Sequence, residues 1–116
     1  MYVSNRGPTN KESTIGMFPI IIDQNNSNVG KLVTSSAVWF ESGGITPRDF
    51  NLDPTGRWLV VGNQDDNTLC VFQLIEQKID IKDSGDEEAS SVMVQTCQQP
   101  PTKYPCKTPV CIAFSK

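Results

Sequence analysis

Apolar positions come in short runs, each closed by a polar or Gly/Pro cluster, which is the signature of strands rather than helices. Tyr2 and Val3 open a run that ends at Asn5, against the turn cluster Arg6-Gly7-Pro8. A second strand is expected over 14–22, and 23–28 reads as an exposed connection. Strands over 31–34 and 35–40 follow, before Gly43-Gly44 breaks the chain. Phe50-Asn51-Leu52 alternates with the period of two that a strand imposes. Asp53-Pro54-Thr55-Gly56 is a tight turn, with Pro setting φ at the second position and Gly tolerating the last. Residues 58–62 and 68–74 make the strongest hairpin, joined by the wholly polar Gln64-Asp65-Asp66-Asn67. Beyond Ile81 the pattern decays. Residues 82–91 read as a solvated acidic loop, 92–94 as an outer strand and 110–114 as a final strand, while 98–105, with three prolines, should be irregular. Only 73–82 leaves helix and strand both open.

The strands also repeat. Tyr2, Val3 and Asn5 align with Val60, Val61 and Asn63, and Ile15, Met17 and Phe18 with Leu69, Val71 and Phe72. A shorter echo aligns residues 47–52 with 109–114. Self-similarity on this scale marks a stacked or radial array, in which one unit cannot bury its own apolar face. The chain holds about two such units.

Composition narrows the functional classes. At 116 residues, 37% apolar and 20% charged, the chain is long enough for one modest core. Its net charge is −3 and no Lys/Arg cluster forms a stripe for phosphates, so nucleic acid is not an expected partner. No apolar run approaches the ~20 residues that span a bilayer, and no secretory leader is evident. A cytoplasmic, reducing location is therefore expected, with the four cysteines as free thiols. Cys70 and Cys111 lie in apolar runs and read as small core residues. The cysteines lack paired spacing and the chain has no histidine, so no metal site is expected.

The string TPRDFNLDPTGRWLVVGNQDDNTLCVFQL at 46–74 closely resembles the last blade of the lactonase family of seven-bladed β-propellers. YVSNRG at 2–7 with STIGMF at 13–18 resembles the preceding blade, and TPVCIAF at 108–114 the family's C-terminal strand. The resemblance implies an all-β fold of about two four-stranded antiparallel blades in an incomplete ring. It divides the chain into an incomplete penultimate blade (1–42), a last blade carrying the acidic loop (43–97), and a Pro-rich linker with a closing strand (98–116). It implies a hydrolase of carbohydrate metabolism that opens a sugar lactone, such as 6-phosphogluconolactone, without metal or cofactor. In the family a histidine and a glutamate from earlier blades are implicated, and neither has a matching position here. The chain by itself is thus expected to be an inactive fragment. The rival readings are a non-catalytic propeller scaffold that binds proteins on its rim and a truncated product without independent function.

Antiparallel strand order should bring Arg6-Gly7, Thr46-Pro47-Arg48 and Gln64-Asp65-Asp66 to one end of the blades, with the 53–56 turn at the other. Lactone hydrolysis needs a base to activate water and donors to stabilise an oxyanion. An anionic substrate also needs a cation, and the planar fork of Arg suits phosphate and carboxylate. Arg6 matches a family arginine proposed to face the active channel and is the candidate catalytic residue. Arg6, Arg48 and Gln64 are the candidate substrate-binding set. For Arg48 a salt bridge with Asp49 or a neighbouring loop competes with that role, while Glu41, Asp65 and Asp66 are acids at the same edge. Trp58 and Phe72 are expected to pack on sheets, and Trp39 and Phe40 to line the cleft or, preferably, to pack between blades. Open sheet edges should favour self-association.

Overall fold

The computed structural model describes residues 1–21, 24, 25, 27–81, 90–109 and 111–115. Its strands are β1 (Tyr2–Asn5), β2 (Thr14–Met17), β3 (Val38–Glu41), β4 (Pro47–Leu52), β5 (Trp58–Asn63), β6 (Thr68–Ile81), β7 (Ser90–Cys97) and β8 (Thr102–Pro105). The one helical element among the described residues is a 3-10 turn at Thr34–Ser36. β1, β2 and β3 form one antiparallel sheet, and β4 to β8 form another. The fold is therefore all-β, built of two blade-like sheets that do not close into a ring.

The repeat is realised in the registers. Tyr2 faces Met17 and Asn5 faces Thr14, just as Val60 faces Val71 and Asn63 faces Thr68. Aligned residues thus occupy equivalent positions in two hairpins. The core lies where one face of each sheet meets the other. Ile15, from the first sheet, packs with Leu59, Val61, Cys70, Phe72 and Leu74 of the second. Tyr2 and Phe40 reach across: Phe40 meets Phe72 edge-on at 5.1 Å between ring centroids, and Tyr2 lies 6.4 Å from Phe50. Strand alternation explains the choice, because Leu59, Val61 and Asn63 share one face of β5.

Several sequence expectations change. The strand expected over 14–22 ends at Met17; Pro19 cannot donate to a ladder, and Ile20 instead bridges Leu32. Residues 31–40 give this bridge, the 3-10 turn and a short β3 rather than two strands. The ambiguous 73–82 segment is strand as far as Ile81. Along β6, Thr68–Val71 pairs with β8 and Leu74–Ile81 with β7, so β7 and β8 are two parts of one outer edge. Residues 98–105 are consequently not irregular throughout. Pro100 and Pro101 fall in the break between the two parts, and Pro105 is the last residue of β8. The final strand expected over 110–114 is absent at 111–115, which join no ladder, and Val110 lies outside the described residues. Of the acidic stretch, 82–89 lies outside them too, and Ser90 and Ser91 belong to β7. Asp23 and Asn26 of the expected 23–28 connection are also outside; Gln24, Asn25, Ser27 and Asn28 are in turns.

Candidate functional site

Loops at one end of both sheets converge on Ser13. This residue is fully buried. Its hydroxyl donates to the Gly7 carbonyl at 2.8 Å and accepts from the Thr46 amide at 3.0 Å. Its own carbonyl accepts from the Ser42 amide at 2.9 Å. The 6–13 loop is thereby bolted to the linker that enters β4. Gly7 makes this possible: a Cβ there would collide with Glu12. A second buried junction lies beside it. The Ser42 hydroxyl donates to Asn63 Oδ1 at 2.7 Å, and Asn63 Nδ2 donates back to the Ser42 carbonyl at 3.1 Å. Gly43, at φ 85°, turns tightly over Cys70, where a side chain would meet the sulfur at 2.5 Å. Burial pushes the Cys70 thiol pKa up, consistent with a core residue.

On this platform the predicted arginines come together. Arg6 Nη2 donates to the Arg48 carbonyl at 3.4 Å, and Arg48 Nη1 donates to Gln64 Oε1 at 3.2 Å. The Gln64 amide in turn donates to the Thr46 carbonyl at 2.9 Å. Arg6 and Arg48 are exposed and Gln64 is half-buried. The three candidate substrate-binding residues therefore form one hydrogen-bonded chain at the expected end, while Asp53-Pro54-Thr55-Gly56 caps the opposite end of β4. The Asp53 carboxyl is held below its usual range by the Thr55 hydroxyl and then by backbone amides of Trp58, Thr55 and Arg57.

Two of the edge acids are otherwise engaged, Asp65 and Asp66, while Glu41 is exposed. Asp65 accepts from the Thr46 hydroxyl, Asp66 accepts from the Thr68 hydroxyl at 3.0 Å, and Glu41 ends β3 opposite Thr14. Asp49 is not shown bridging Arg48: its Oδ2 accepts from the Ile112 amide at 2.6 Å. The arrangement brings two exposed arginines to one end of the sheets, a side-chain type whose planar fork suits phosphate and carboxylate. It offers no histidine for proton transfer. Among the described residues, no group of three or more His, Cys, Asp or Glu is placed to hold a metal ion.

The remaining side-chain expectations divide. All four cysteines are free thiols, but Cys111 is exposed and is not a core residue, because its segment has no sheet around it. Phe72 is fully buried as expected, whereas Trp58 is 42% exposed on the other face of its sheet. Phe40 packs between the sheets, while Trp39 is exposed, lying over Gly16 and edge-on to Phe18 at 5.4 Å. Ser13 was missed by sequence reasoning. Its signal was available in the repeat, where it aligns with Asn67, another side chain that accepts a backbone amide.

No helix among the described residues is long and apolar enough to cross a membrane. The family model for seven-bladed β-propeller lactonases matches residues 1–97. A 6-phosphogluconolactonase of Formosa agariphila is 38% identical over 74 residues, which cover 63% of this chain and 18% of that protein. The chain thus spans less than a fifth of that relative's length. No solved structure matches. The paired hairpins, their open ring and the family match lead to one conclusion: the chain belongs to the seven-bladed β-propeller lactonase family.

Proposed function

We propose that this chain forms the phosphate-holding part of a lactonase site, in a propeller that hydrolyses a phosphorylated sugar lactone such as 6-phosphogluconolactone. The observation that carries this reading is the joint placement of Arg6, Arg48 and Gln64 at one end of the sheets. In lactone hydrolysis water adds to the acyl carbon, an oxyanion develops, and the ring C–O bond breaks with a proton delivered to the leaving oxygen. Arg6 and Arg48 would fix the anionic group and so orient the acyl carbon. Proton transfer falls to residues outside this chain, and no metal or cofactor is called for. The protein acts in the cytoplasm, where phosphorylated sugars are held.

The test is a titration of the chain with 6-phosphogluconate, the stable product, followed by NMR, with gluconate as the control. Saturable binding of the phosphorylated sugar alone, lost in Arg6→Ala and in Arg48→Ala, supports the reading. Equal response to gluconate, or no binding, overturns it. The chain alone should show no turnover of 6-phosphogluconolactone above spontaneous hydrolysis. Turnover abolished by Arg6→Ala would place the complete catalytic machinery within the chain and overturn the division of labour proposed here.

A further inference from the structure

Thr46 and Thr108 both precede a proline and both have positive φ, 60° and 47°. The left-handed region is costly for a β-branched side chain, and such a residue stays there only where its surroundings fix it. Glycine would take this φ freely, so the use each threonine makes of its hydroxyl is informative. At Thr108 the amide and the hydroxyl both donate to Asn67 Oδ1, at 2.9 and 3.5 Å. At Thr46 the bonds are divided among different loops. The amide donates at 3.0 Å to the hydroxyl of Ser13, which ends the loop begun by Arg6. The hydroxyl donates to the Asp65 carboxylate, and the carbonyl accepts from the Gln64 amide at 2.9 Å. Gln64 and Asp65 lie in the loop between β5 and β6. Thr46 therefore ties the loops of both hairpins to one residue, two positions before Arg48.

Both arginines are anchored at this junction. On one side the Ser13 hydroxyl, while accepting from Thr46, donates at 2.8 Å to the carbonyl of Gly7, the residue after Arg6. On the other side Pro47 is fully buried with its φ fixed by its ring, so the direction in which the chain leaves Thr46 sets where Arg48 stands. Two contacts complete the circuit: Arg6 Nη2 to the Arg48 carbonyl at 3.4 Å, and Arg48 Nη1 to Gln64 Oε1 at 3.2 Å. Arg6 and Gln64 directly follow the aligned residues Asn5 and Asn63, so Arg48 touches the matching position of each hairpin. The Thr108 junction has no such charge to place, since the residue two positions on is Val110.

We propose that Thr46 is a positioning residue for the arginine pair: its left-handed backbone and three hydrogen bonds fix Arg48 against Arg6 before a phosphate arrives, so that both guanidinium groups engage it together. The use of the pair rests on the reading of this end as a phosphate site. Thr46 acts through the arginines and is not itself a binding group. Its effect is pre-organisation, because arginines already held in place lose less side-chain freedom when the anion binds.

Thr46→Gly tests this without dismantling the sheets. Glycine takes positive φ freely and keeps the amide and carbonyl bonds, but it removes the hydroxyl bond and unlocks the backbone. Thr46→Ser keeps the hydroxyl and is the rescue variant. Two measurements are made on the chain: NMR relaxation of the Arg48 amide and of the Arg6 and Arg48 Nε–H groups without ligand, and titration with 6-phosphogluconate. Thr46→Gly, still folded by thermal melting, should show these groups more mobile and bind about tenfold more weakly, with Thr46→Ser close to wild type in both. Unchanged relaxation in Thr46→Gly overturns the positioning role, whatever the binding does. A Thr46→Ser variant as impaired as Thr46→Gly overturns it too, since the hydroxyl bond is then not what holds the pair. Loosened arginines in Thr46→Gly, in a chain whose wild type binds no 6-phosphogluconate, support the positioning and overturn the phosphate reading on which its use rests.

Discussion

Val61 and Val3 occupy the same position in two copies of one hairpin, yet Val61 is fully buried and Val3 is 39% exposed. Asn63 and Asn5 differ in the same direction: Asn63 is sealed against Ser42, and Asn5 is exposed with its amide on the Glu12 carbonyl at 3.3 Å. On the opposite face the order reverses. Ile15 and Met17 are buried in the first sheet, while their counterparts Leu69 and Val71 are half-buried in the second. Each blade has a face toward its predecessor and a face toward its successor. The first sheet has only its successor in this structure, and the second only its predecessor. The alternation of apolar residues is therefore the same in both, but the neighbour decides which half of the pattern is worth burial energy.

The largest expected difference is between Phe72 and Phe18. Phe72→Ala should cost about 3–5 kcal/mol in denaturant unfolding, because it empties the space under Phe40, whereas half-buried Phe18→Ala should cost less than about half of that. Equal losses would mean that the outer face of the first sheet is covered in solution. The asparagines should differ next. Asn63→Ala removes the 2.7 Å acceptor of the buried Ser42 hydroxyl, leaving it the Gly44 carbonyl at 3.3 Å, and removes the Asn63 donor from the Ser42 carbonyl, and should cost about 1–3 kcal/mol; Asn5→Ala should stay within about 0.5 kcal/mol.

Titration sharpens the comparison further. Where the sheets meet, burial raises Cys97 from 9.0 to about 12, and burial followed by the Cys97 charge raises Tyr2 from 10.0 to about 12. Both groups fold best in the neutral form. Their contribution is complete below pH 9 and should be lost as pH climbs through about 12, a loss followed by unfolding at a series of pH values. Cys97→Ala should remove its onset near pH 9 and Tyr2→Phe its later part. The smallest effect belongs to the exposed turn at the far end of β4. Asp53 is lowered, so its contribution is present above the ordinary carboxylate value of 3.8 and fades as pH falls through its lower folded value. Asp53→Asn should flatten that acid limb and leave the alkaline one unchanged.

Both hairpins, the alignment of one with the other and the gathering of the Arg6, Arg48 and Gln64 loops at one end were legible in the sequence, because turns and period-two alternation act over a few residues. Arg48 and Asp49 were less legible. Adjacent in sequence, they have different partners, Arg48 donating to Gln64 and Asp49 accepting from Ile112, where the β4 register shifts between Pro47 and Asp49, so proximity along the chain was a poor guide to partnership. The Pro-rich stretch misled for a related reason. Pro100 and Pro101 sit in the break of the outer edge, where no ladder bond is needed, and the strand resumes at Thr102.

The amino-acid sequence by itself determined the two hairpins, the turns that bound them and the internal repeat, since each rests on local backbone preference and side-chain alternation. The tertiary structure alone decided which face of each sheet is buried, which side chain each site residue touches, and that residues 111–115 remain outside any ladder. Burial and strand formation depend on a partner surface, and a segment with the pattern of β4 becomes a strand only where another strand lies beside it.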